Sequence, residues 1–202
     1  MVVGGIDTAK VQRQYPPQVH ARTSISETAL VDVAPKEAMD VPPPTRIGEG
    51  TSIGGFTIVY RSAQVMKDVR VGAYCVIGPG AVVKDGASIG HRCYIGAEAV
   101  IGRGARLAAG CVVAPGCGIG TVAELGSGVL VLDQPRLARD SGVGNPAMVG
   151  AGARIGSGSV VCGGNTVGKG AVVGEGEVVE DDLPDGAEYF GGRIVEEIDR
   201  VI

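Results

Sequence analysis

The sequence predicts an all-β protein built as a parallel β-helix, and three observations lead to this fold class. An aliphatic residue recurs at every sixth position from Ile47 to Val179, which gives 23 successive hits. A second, mostly small residue follows each aliphatic by four positions, as at Ala81 and Cys93. Glycine stands directly after the aliphatic in 14 of the 23 repeats. We therefore expect a repeating unit of one short strand and one corner, where the lack of a Cβ is favourable.

Three such units make a triangular coil of 18 residues, and stacked coils satisfy their backbones through parallel ladders spaced about 4.8 Å apart. Composition agrees with a narrow aliphatic interior, since the chain has 35 Gly, two Phe and no Trp. The 202 residues suffice for one main domain. The repeat region predicts a column about 35 Å tall, from the same spacing.

The six-residue step divides the chain into five segments. A short C-terminal helix is expected because Ile194, Ile198 and Val201 have helical spacing. The segments are an N-terminal segment (1–18), an opening β-helix coil (19–32), a proline-rich loop (33–46), the main β-helix (47–183) and a C-terminal extension (184–202).

Charge and hydropathy exclude two classes of partner. The net charge of −4 and the scattered Lys and Arg residues give no basic surface for nucleic acid. No run of 18 apolar residues predicts a membrane span, and the N-terminal residues do not resemble a signal peptide. We expect a soluble, cytoplasmic protein.

The repeat resembles that of the hexapeptide-repeat acyltransferase superfamily, whose pattern is an aliphatic, a glycine, two variable residues, a small residue and another variable one. This resemblance covers residues 47–179. It implies a left-handed β-helix and a homotrimer with sites between protomers. It further implies acetyl-CoA, or another acyl-CoA, as co-substrate, and a small-molecule acceptor with an amine or hydroxyl, such as an amino sugar nucleotide.

His91, in the segment SIGHRCYIG, is the candidate catalytic residue. It follows an inward aliphatic by two positions, so its side chain is expected to project from a corner. Imidazole can accept a proton near neutral pH as an acceptor attacks a thioester. The segment resembles the catalytic strand of sugar-nucleotide N-acetyltransferases, which implies that His91 is the general base. An ordinary surface histidine remains the alternative, and Arg92 stands where several of those enzymes have an acidic residue.

In those enzymes a backbone N–H one coil below the histidine holds the thioester oxygen, which by resemblance falls on Ala109. The alternative is that Ala109 merely tolerates a tight corner. Further steps of 18 residues reach Ser127, Asn145 and Gly163, which are small or polar. These residues, with Ala109, are predicted to line a groove for the CoA arm.

Other functions remain open. A non-catalytic β-helix scaffold would need no histidine beside a groove. γ-Class carbonic anhydrases resemble this fold but need three zinc-bound histidines, whereas the chain has only His20 besides His91, and His20 is expected to be structural. No metal is expected. Four of the five cysteines are predicted to lie in the small inward column, with Cys162 at a corner as the more reactive thiol.

Overall fold

The computed structural model of the chain describes residues 17–20, 22–33, 43–134 and 145–195. These residues form 28 short strands joined by tight corners, and none of them is in a helix. A helix able to cross a bilayer is accordingly not found in this part of the chain. The fold is the left-handed parallel β-helix that the sequence predicts.

The strands, in chain order, are β1 (Gln18–Val19), β2 (Ser24–Ile25), β3 (Leu30–Val33), β4 (Arg46–Ile47), β5 (Ser52–Ile53), β6 (Ile58–Tyr60), β7 (Gln64–Val65), β8 (Arg70–Val71), β9 (Val76–Ile77), β10 (Val82–Val83), β11 (Ser88–Ile89), β12 (Tyr94–Ile95), β13 (Val100–Ile101), β14 (Arg106–Leu107), β15 (Val112–Val113), β16 (Gly118–Ile119), β17 (Glu124–Leu125), β18 (Leu130–Val131), β19 (Asp133–Gln134), β20 (Asn145–Pro146), β21 (Met148–Val149), β22 (Arg154–Ile155), β23 (Val160–Val161), β24 (Thr166–Val167), β25 (Val172–Val173), β26 (Val178–Val179), β27 (Glu188–Phe190) and β28 (Arg193–Ile194).

Three parallel sheets form the sides of the prism. Side A has the order β1-β4-β7-β10-β13-β16-β21-β24, and side C runs from β3 to β26 in eight strands. Side B has ten strands, in the order β2-β5-β8-β11-β14-β17-β22-β25-β27-β28. Apart from β27 and β28, which pair antiparallel, successive strands of one side pair in parallel with a step of one coil, as in Ile89 with Leu107. Each described coil therefore contributes one strand to each side.

The core is the aliphatic column together with the small column, as predicted. Ile77, Ile95 and Val113 are fully buried on side C, and each stacks on the equivalent residue of the next coil. Between them the corners bury small side chains such as Ala81 and Ala99. Because every coil buries the same kinds of side chain, the core continues along the whole column without large aromatic residues.

The corner glycines serve close approach between coils and not an unusual backbone angle. A Cβ added at Gly90 would lie 2.7 Å from the Ala108 carbonyl carbon of the next coil. The left-handed conformation falls two positions later, at Arg92 (φ 58°) and Gly110 (φ 75°) for example. Glycine is therefore favoured at two positions of a corner for two separate reasons.

One coil departs from the predicted step of 18 residues. Ile101 pairs with Ile119 in the regular way, but Ile119 pairs with Val149, thirty residues further along the chain. The chain thus has twelve more residues here than a regular coil, and β19 and β20 pair antiparallel on either side of this excursion. The prediction of an uninterrupted helix from 47 to 179 is wrong here. The period survives in the sequence because twelve residues equal two hexapeptides.

The two aliphatic positions assigned to the coil at Leu137 and Val143 lie outside the described residues. Val149, which the sequence places two units later, occupies the side A position instead. Ala147 remains fully buried as the small residue that precedes it. The coil therefore closes with the residue types that the repeat requires after the excursion.

The opening coil is joined to the main helix by a buried ion pair that the sequence analysis did not foresee. Asp32 on β3 and Arg61 form a salt bridge, and both side chains are fully buried. The Thr45 N–H donates to Asp32 Oδ1 at 2.7 Å. Asp32 thereby connects the two ends of the proline-rich loop, of which residues 34–42 lie outside the described residues.

The predicted C-terminal helix is wrong at Ile194, which lies in β28 and pairs antiparallel with Tyr189 of β27. Ile198 and Val201 lie outside the described residues. The reversal is made by Gly191 and Gly192, both left-handed, whose N–H groups donate to the Glu177 carboxylate at 2.6 and 3.0 Å. A glycine pair held in this way favours a hairpin over a helix.

Candidate functional site

His91 lies on the B–C edge, which we define as the row of corners joining side B to side C. Its corner follows Ile89 and precedes Tyr94, and the residue is exposed. The strand pairing places Ala73 one coil above it and Ala109 one coil below it. The repeat predicts this placement for His91 and Ala109.

A backbone hydrogen bond orients the His91 ring. The Ala73 N–H donates to His91 Nδ1 over 2.9 Å. With Nδ1 as the acceptor, the neutral ring carries its proton on Nε2. His91 is therefore held by the coil above it and presents a ring N–H donor, a feature that the sequence alone does not specify.

Ala109 offers a backbone donor directly below His91. Its N–H has no hydrogen-bond acceptor within the described ranges, and the same is true of the equivalent N–H groups of His91 and Ser157. Those of Ala73 and Ser127 are occupied by His91 Nδ1 and by Ser157 Oγ. Ala109 is exposed. This N–H is thus accessible to a ligand lying on the edge.

Below Ser127 the structure corrects the predicted column. Leu125 pairs with Ile155 and Ile155 with Val173, so the residues that follow Ser127 on the B–C edge are Ser157 and Glu175. The prediction that Asn145 and Gly163 continue this column is wrong, because the twelve-residue excursion shifts the register.

The two displaced residues lie elsewhere in the fold. Asn145 belongs to β20 and pairs with Gln134. Gly163 lies between β23 and β24, at a corner that joins side C to side A. Neither residue shares an edge with His91.

A groove of about 540 Å³ runs down side B against this edge, below His91. Charged side chains form its outer wall. Glu124 accepts from Arg106 at 3.3 Å and lies 3.7 Å from Arg154. The two arginines are largely exposed, and Glu124 is half-buried. The groove is lined by Ser88, Arg106, Leu107, Ala108, Glu124, Leu125, Gly126, Arg154, Ile155, Gly156, Ser157, Val172, Val173 and Glu175.

Sequence reasoning missed Arg154, Ser157 and Glu175 because it continued the step of 18 residues past the excursion. Arg106 and Glu124 were also missed, since outward strand positions on one side of the prism are not conspicuous in the repeat. None of the predicted groove residues lines this groove: Ala109 and Ser127 lie at the adjacent corners of the B–C edge, and Ser157, which does line it, accepts from the Ser127 N–H at 3.3 Å.

The cysteine ladder lies inside the helix behind this edge, as predicted. Cys75, Cys93 and Cys111 are buried one coil apart. The Cys75 thiol donates to the Gly90 carbonyl at 3.0 Å, and hydrogen bonding to Cys93 together with burial raises the pKa of Cys75. Burial raises the pKa of Cys117 to about 11. The thiols of Cys75 and Cys117 are therefore protonated core groups at neutral pH.

The remaining candidates lie apart from the groove. His20 is exposed in the opening coil, where its backbone N–H donates to the Ile47 carbonyl. Cys162 is half-buried, and burial followed by the Glu180 charge raises its pKa. No group of three or more His, Cys, Asp or Glu side chains in the described part of the chain is placed to hold a metal ion.

Comparison with protein families identifies the repeat. The model of the bacterial transferase hexapeptide family (six repeats) matches residues 44–85 and 68–103. These residues include His91 and the coils above it. The sequence-based resemblance to hexapeptide-repeat transferases is thereby confirmed for the repeats. No curated protein matches the chain significantly.

Solved structures of similar fold include sugar-nucleotide acyltransferases. The UDP-N-acetylglucosamine acyltransferase of Francisella novicida is 20% identical, with 85% of this chain and 66% of that chain covered and a TM-score of 0.49. The Arabidopsis UDP-N-acetylglucosamine acyltransferase is 21% identical, with 84% and 70% covered and a TM-score of 0.39.

PerB from Caulobacter crescentus, solved with CoA and GDP-perosamine, is 17% identical, with 93% of this chain and 64% of that chain covered and a TM-score of 0.32. This chain thus spans slightly less than two thirds of the length of the Francisella and Caulobacter proteins.

Proposed function

We propose that this protein is an acyltransferase that moves an acetyl or other acyl group from acyl-CoA to an amine or hydroxyl of a small molecule. The observation that carries the proposal is the B–C edge itself. An imidazole, an unoccupied backbone N–H and an extended groove follow one another along this edge, at His91, Ala109 and the wall below them. A general base, a backbone donor for the oxyanion and a groove for the thioester arm are elements that acyl transfer can use.

The reaction proceeds by direct attack. The acceptor amine or hydroxyl attacks the thioester carbon and its proton passes to His91. The oxygen of the tetrahedral intermediate becomes negative and is stabilised by the Ala109 N–H, a fixed dipole that needs no reorganisation. When the intermediate collapses, the C–S bond breaks and the CoA sulfur receives the proton from His91. No covalent enzyme intermediate is required.

The hydrogen bond from Ala73 constrains how His91 moves protons. Because Nδ1 already accepts that N–H, the ring must give up this contact to accept a proton there. Before doing so, Nε2–H can only donate, for example to the leaving sulfur. His91 therefore acts as the base only after its ring releases the Ala73 N–H.

The groove fits the CoA arm in size and charge. Ala108, Gly126 and Gly156 keep its edge free of large side chains, which leaves space for an extended pantetheine. Arg106 and Arg154 supply positive charge for the cofactor phosphates, and Glu124 holds both guanidinium groups in place.

The remaining parts of the proposal concern the assembly and the acceptor. The PerB structure contains CoA and a GDP-linked sugar, and we extend both ligand classes to this chain as the proposed donor and acceptor. We also propose a homotrimer in which neighbouring protomers complete the sites, and a cytoplasmic location, where acyl-CoA is available.

Calorimetry with acetyl-CoA tests the donor site, and release of CoA in the presence of amino sugars and sugar nucleotides tests turnover. We compare the wild type with His91→Ala and His91→Gln, and use His20→Ala as the matched control because His20 is the other histidine of the chain. We expect all four proteins to bind acetyl-CoA and His20→Ala to keep wild-type turnover. His91→Ala should lose about 10²–10⁴-fold.

The glutamine variant separates the two roles of the ring. Glutamine can donate a hydrogen bond but cannot act as a base at neutral pH. If His91 is the base, His91→Gln is as inactive as His91→Ala. If His91 acts only as a donor, the glutamine variant retains a substantial part of the activity. Failure of the wild type to bind acetyl-CoA at millimolar concentration would refute the proposal and leave the scaffold as the better account.

A further inference from the structure

Two exposed aromatic rings lie on the B–C edge directly above His91. Tyr74 occupies the corner one coil above Arg92, and Phe56 the corner one coil above Tyr74. The rings are stacked, with centroids 5.1 Å apart and planes inclined by 11°. Phe56 and Tyr74 remain 58% and 57% exposed, so this pair is not part of the core.

The backbone at these corners makes the side chains costly. Phe56, Tyr74 and Arg92 all have left-handed φ angles, of 56°, 60° and 58°. In the four coils below His91 the same position of this edge holds glycine, at Gly110, Gly128, Gly158 and Gly176. Glycine adopts this conformation without strain, whereas other residues do not.

The other two edges differ from this one. Non-glycine residues with left-handed φ occur there singly, such as Asp68, Glu98 and Val122, and within the described coils never in three successive corners. Among the coils that the structure describes, only the B–C edge combines such a run with a ring stack. His91 marks the point where large side chains give way to glycine.

Arg92 adds a positive charge beside the rings. It is exposed, and among the residues that the structure describes no carboxylate lies within 4.0 Å of its guanidinium. Successive coils are about 4.8 Å apart, so the Tyr74 and Phe56 corners lie about 5 and 10 Å above that of Arg92. A cation and two ring faces are thus arranged in line with His91.

We propose that Phe56, Tyr74 and Arg92 form the acceptor subsite and select an acceptor that carries a nucleoside diphosphate. The nucleobase stacks on the aromatic pair, the phosphates meet Arg92, and the linked sugar reaches His91. Stacking on aromatic side chains suits any base, and guanidinium groups pair with phosphate oxygens. This inference rests on the proposed function for the position of the reacting group. It divides the edge at His91, with acceptor above and CoA below.

Calorimetry with UDP and GDP, in the absence of acyl-CoA, tests the subsite directly. Tyr74→Gly removes a ring while supplying the residue that the backbone prefers, so loss of folding is not expected. Val122→Gly is the matched control, since Val122 is also 57% exposed and left-handed (φ 50°) but lies on another edge. We expect Tyr74→Gly to weaken both nucleotides about tenfold or more, and Val122→Gly to leave binding unchanged.

The two parts of the subsite are separated by two further probes. Arg92→Gly should abolish the advantage of UDP over uridine, because the lost interaction is with phosphate. Tyr74→Gly should abolish the advantage of UDP over inorganic pyrophosphate, because the lost interaction is with the base. Equal affinity of the wild type and Tyr74→Gly for UDP, or no binding by the wild type at millimolar concentration, would overturn the inference.

Two controls distinguish this inference from the proposed function and from a subunit contact. Acetyl-CoA binding should be the same in Tyr74→Gly as in the wild type, so a protein that binds acetyl-CoA but no nucleotide refutes only the acceptor subsite. Light scattering gives the mass of each variant in solution. A change of mass in Tyr74→Gly that is absent in Val122→Gly would show that a second copy of the chain covers the rings, and would also overturn the inference.

Discussion

Replacing Arg61 with methionine removes one partner of the buried ion pair and keeps most of the aliphatic stem. Asp32 then retains the Thr45 N–H as a hydrogen-bond donor, but its carboxylate loses the guanidinium as counter-charge. Both side chains are fully buried, so water does not replace the lost partner. Breaking a buried pair by removing one partner costs about 3–5 kcal/mol. We expect Arg61→Met to lose this amount of unfolding free energy.

A double-mutant cycle tests the cause of that loss. Asp32→Asn keeps an acceptor for the Thr45 N–H, and asparagine tolerates the left-handed angle of this residue (φ 68°). The single variant removes the Asp32 charge that the Arg61 guanidinium contacts, whereas the double variant removes both charges of the pair. The double variant should therefore be more stable than either single one, with a coupling of about 2 kcal/mol or more.

Guanidinium unfolding followed by circular dichroism gives the stability of the four proteins. Acetyl-CoA affinity should be the same in all of them while they are folded, because the pair lies on the opening coils and not beside the groove. Additive effects of the two substitutions would refute the reasoning, since they would mean that the two charges do not stabilise each other.

Three further predictions concern the coils. Gly90→Ala should lower the unfolding free energy by about 3 kcal/mol, because the new Cβ would lie 2.7 Å from the Ala108 backbone. Gly158→Ala meets open space and should lower it by about 1 kcal/mol, because alanine is strained at a φ of 71°. Guanidinium unfolding midpoints that fall equally in the two variants would contradict this. Iodoacetamide should label Cys162 first in the folded protein, and the labelling rate should increase as the pH rises through the raised pKa of this thiol. Mass spectrometry that shows a buried cysteine labelled first would contradict this. Deleting residues 133–144 places Val149 six residues after Val131, so the variant should keep its strand signal in circular dichroism; an unfolded product would show that the excursion is required.

The repeat predicts most of the fold because each of its positions has one physical role. The aliphatic and small columns are buried wherever the coil is regular, and the placement of His91 and Ala109 on one edge follows from counting. Counting fails after Val131 because an insertion of two whole hexapeptides leaves the period intact. The signals available there are Pro135 at a small inward position and the charged run RLARD.

Features that depend on contacts between coils could not be predicted from the period. The Asp32–Arg61 pair joins residues 29 positions apart across a proline-rich loop, and the hydrogen bond from Ala73 to His91 depends on the rotation of the ring. The stack of Phe56 on Tyr74 was also missed, although both lie one coil apart at the same corner position. The available sequence signal is that aromatic residues stand 18 positions apart, at Phe56 and Tyr74.

A crystal structure of the protein with CoA tests the central claim most directly, since the claim is that one edge holds the donor. The account predicts that the pantetheine arm lies in the groove of side B, past Ser157 and Ser127, with its sulfur within about 4 Å of His91 or of the Ala109 N–H. CoA bound on either of the other two edges, with the groove below His91 empty, would contradict it.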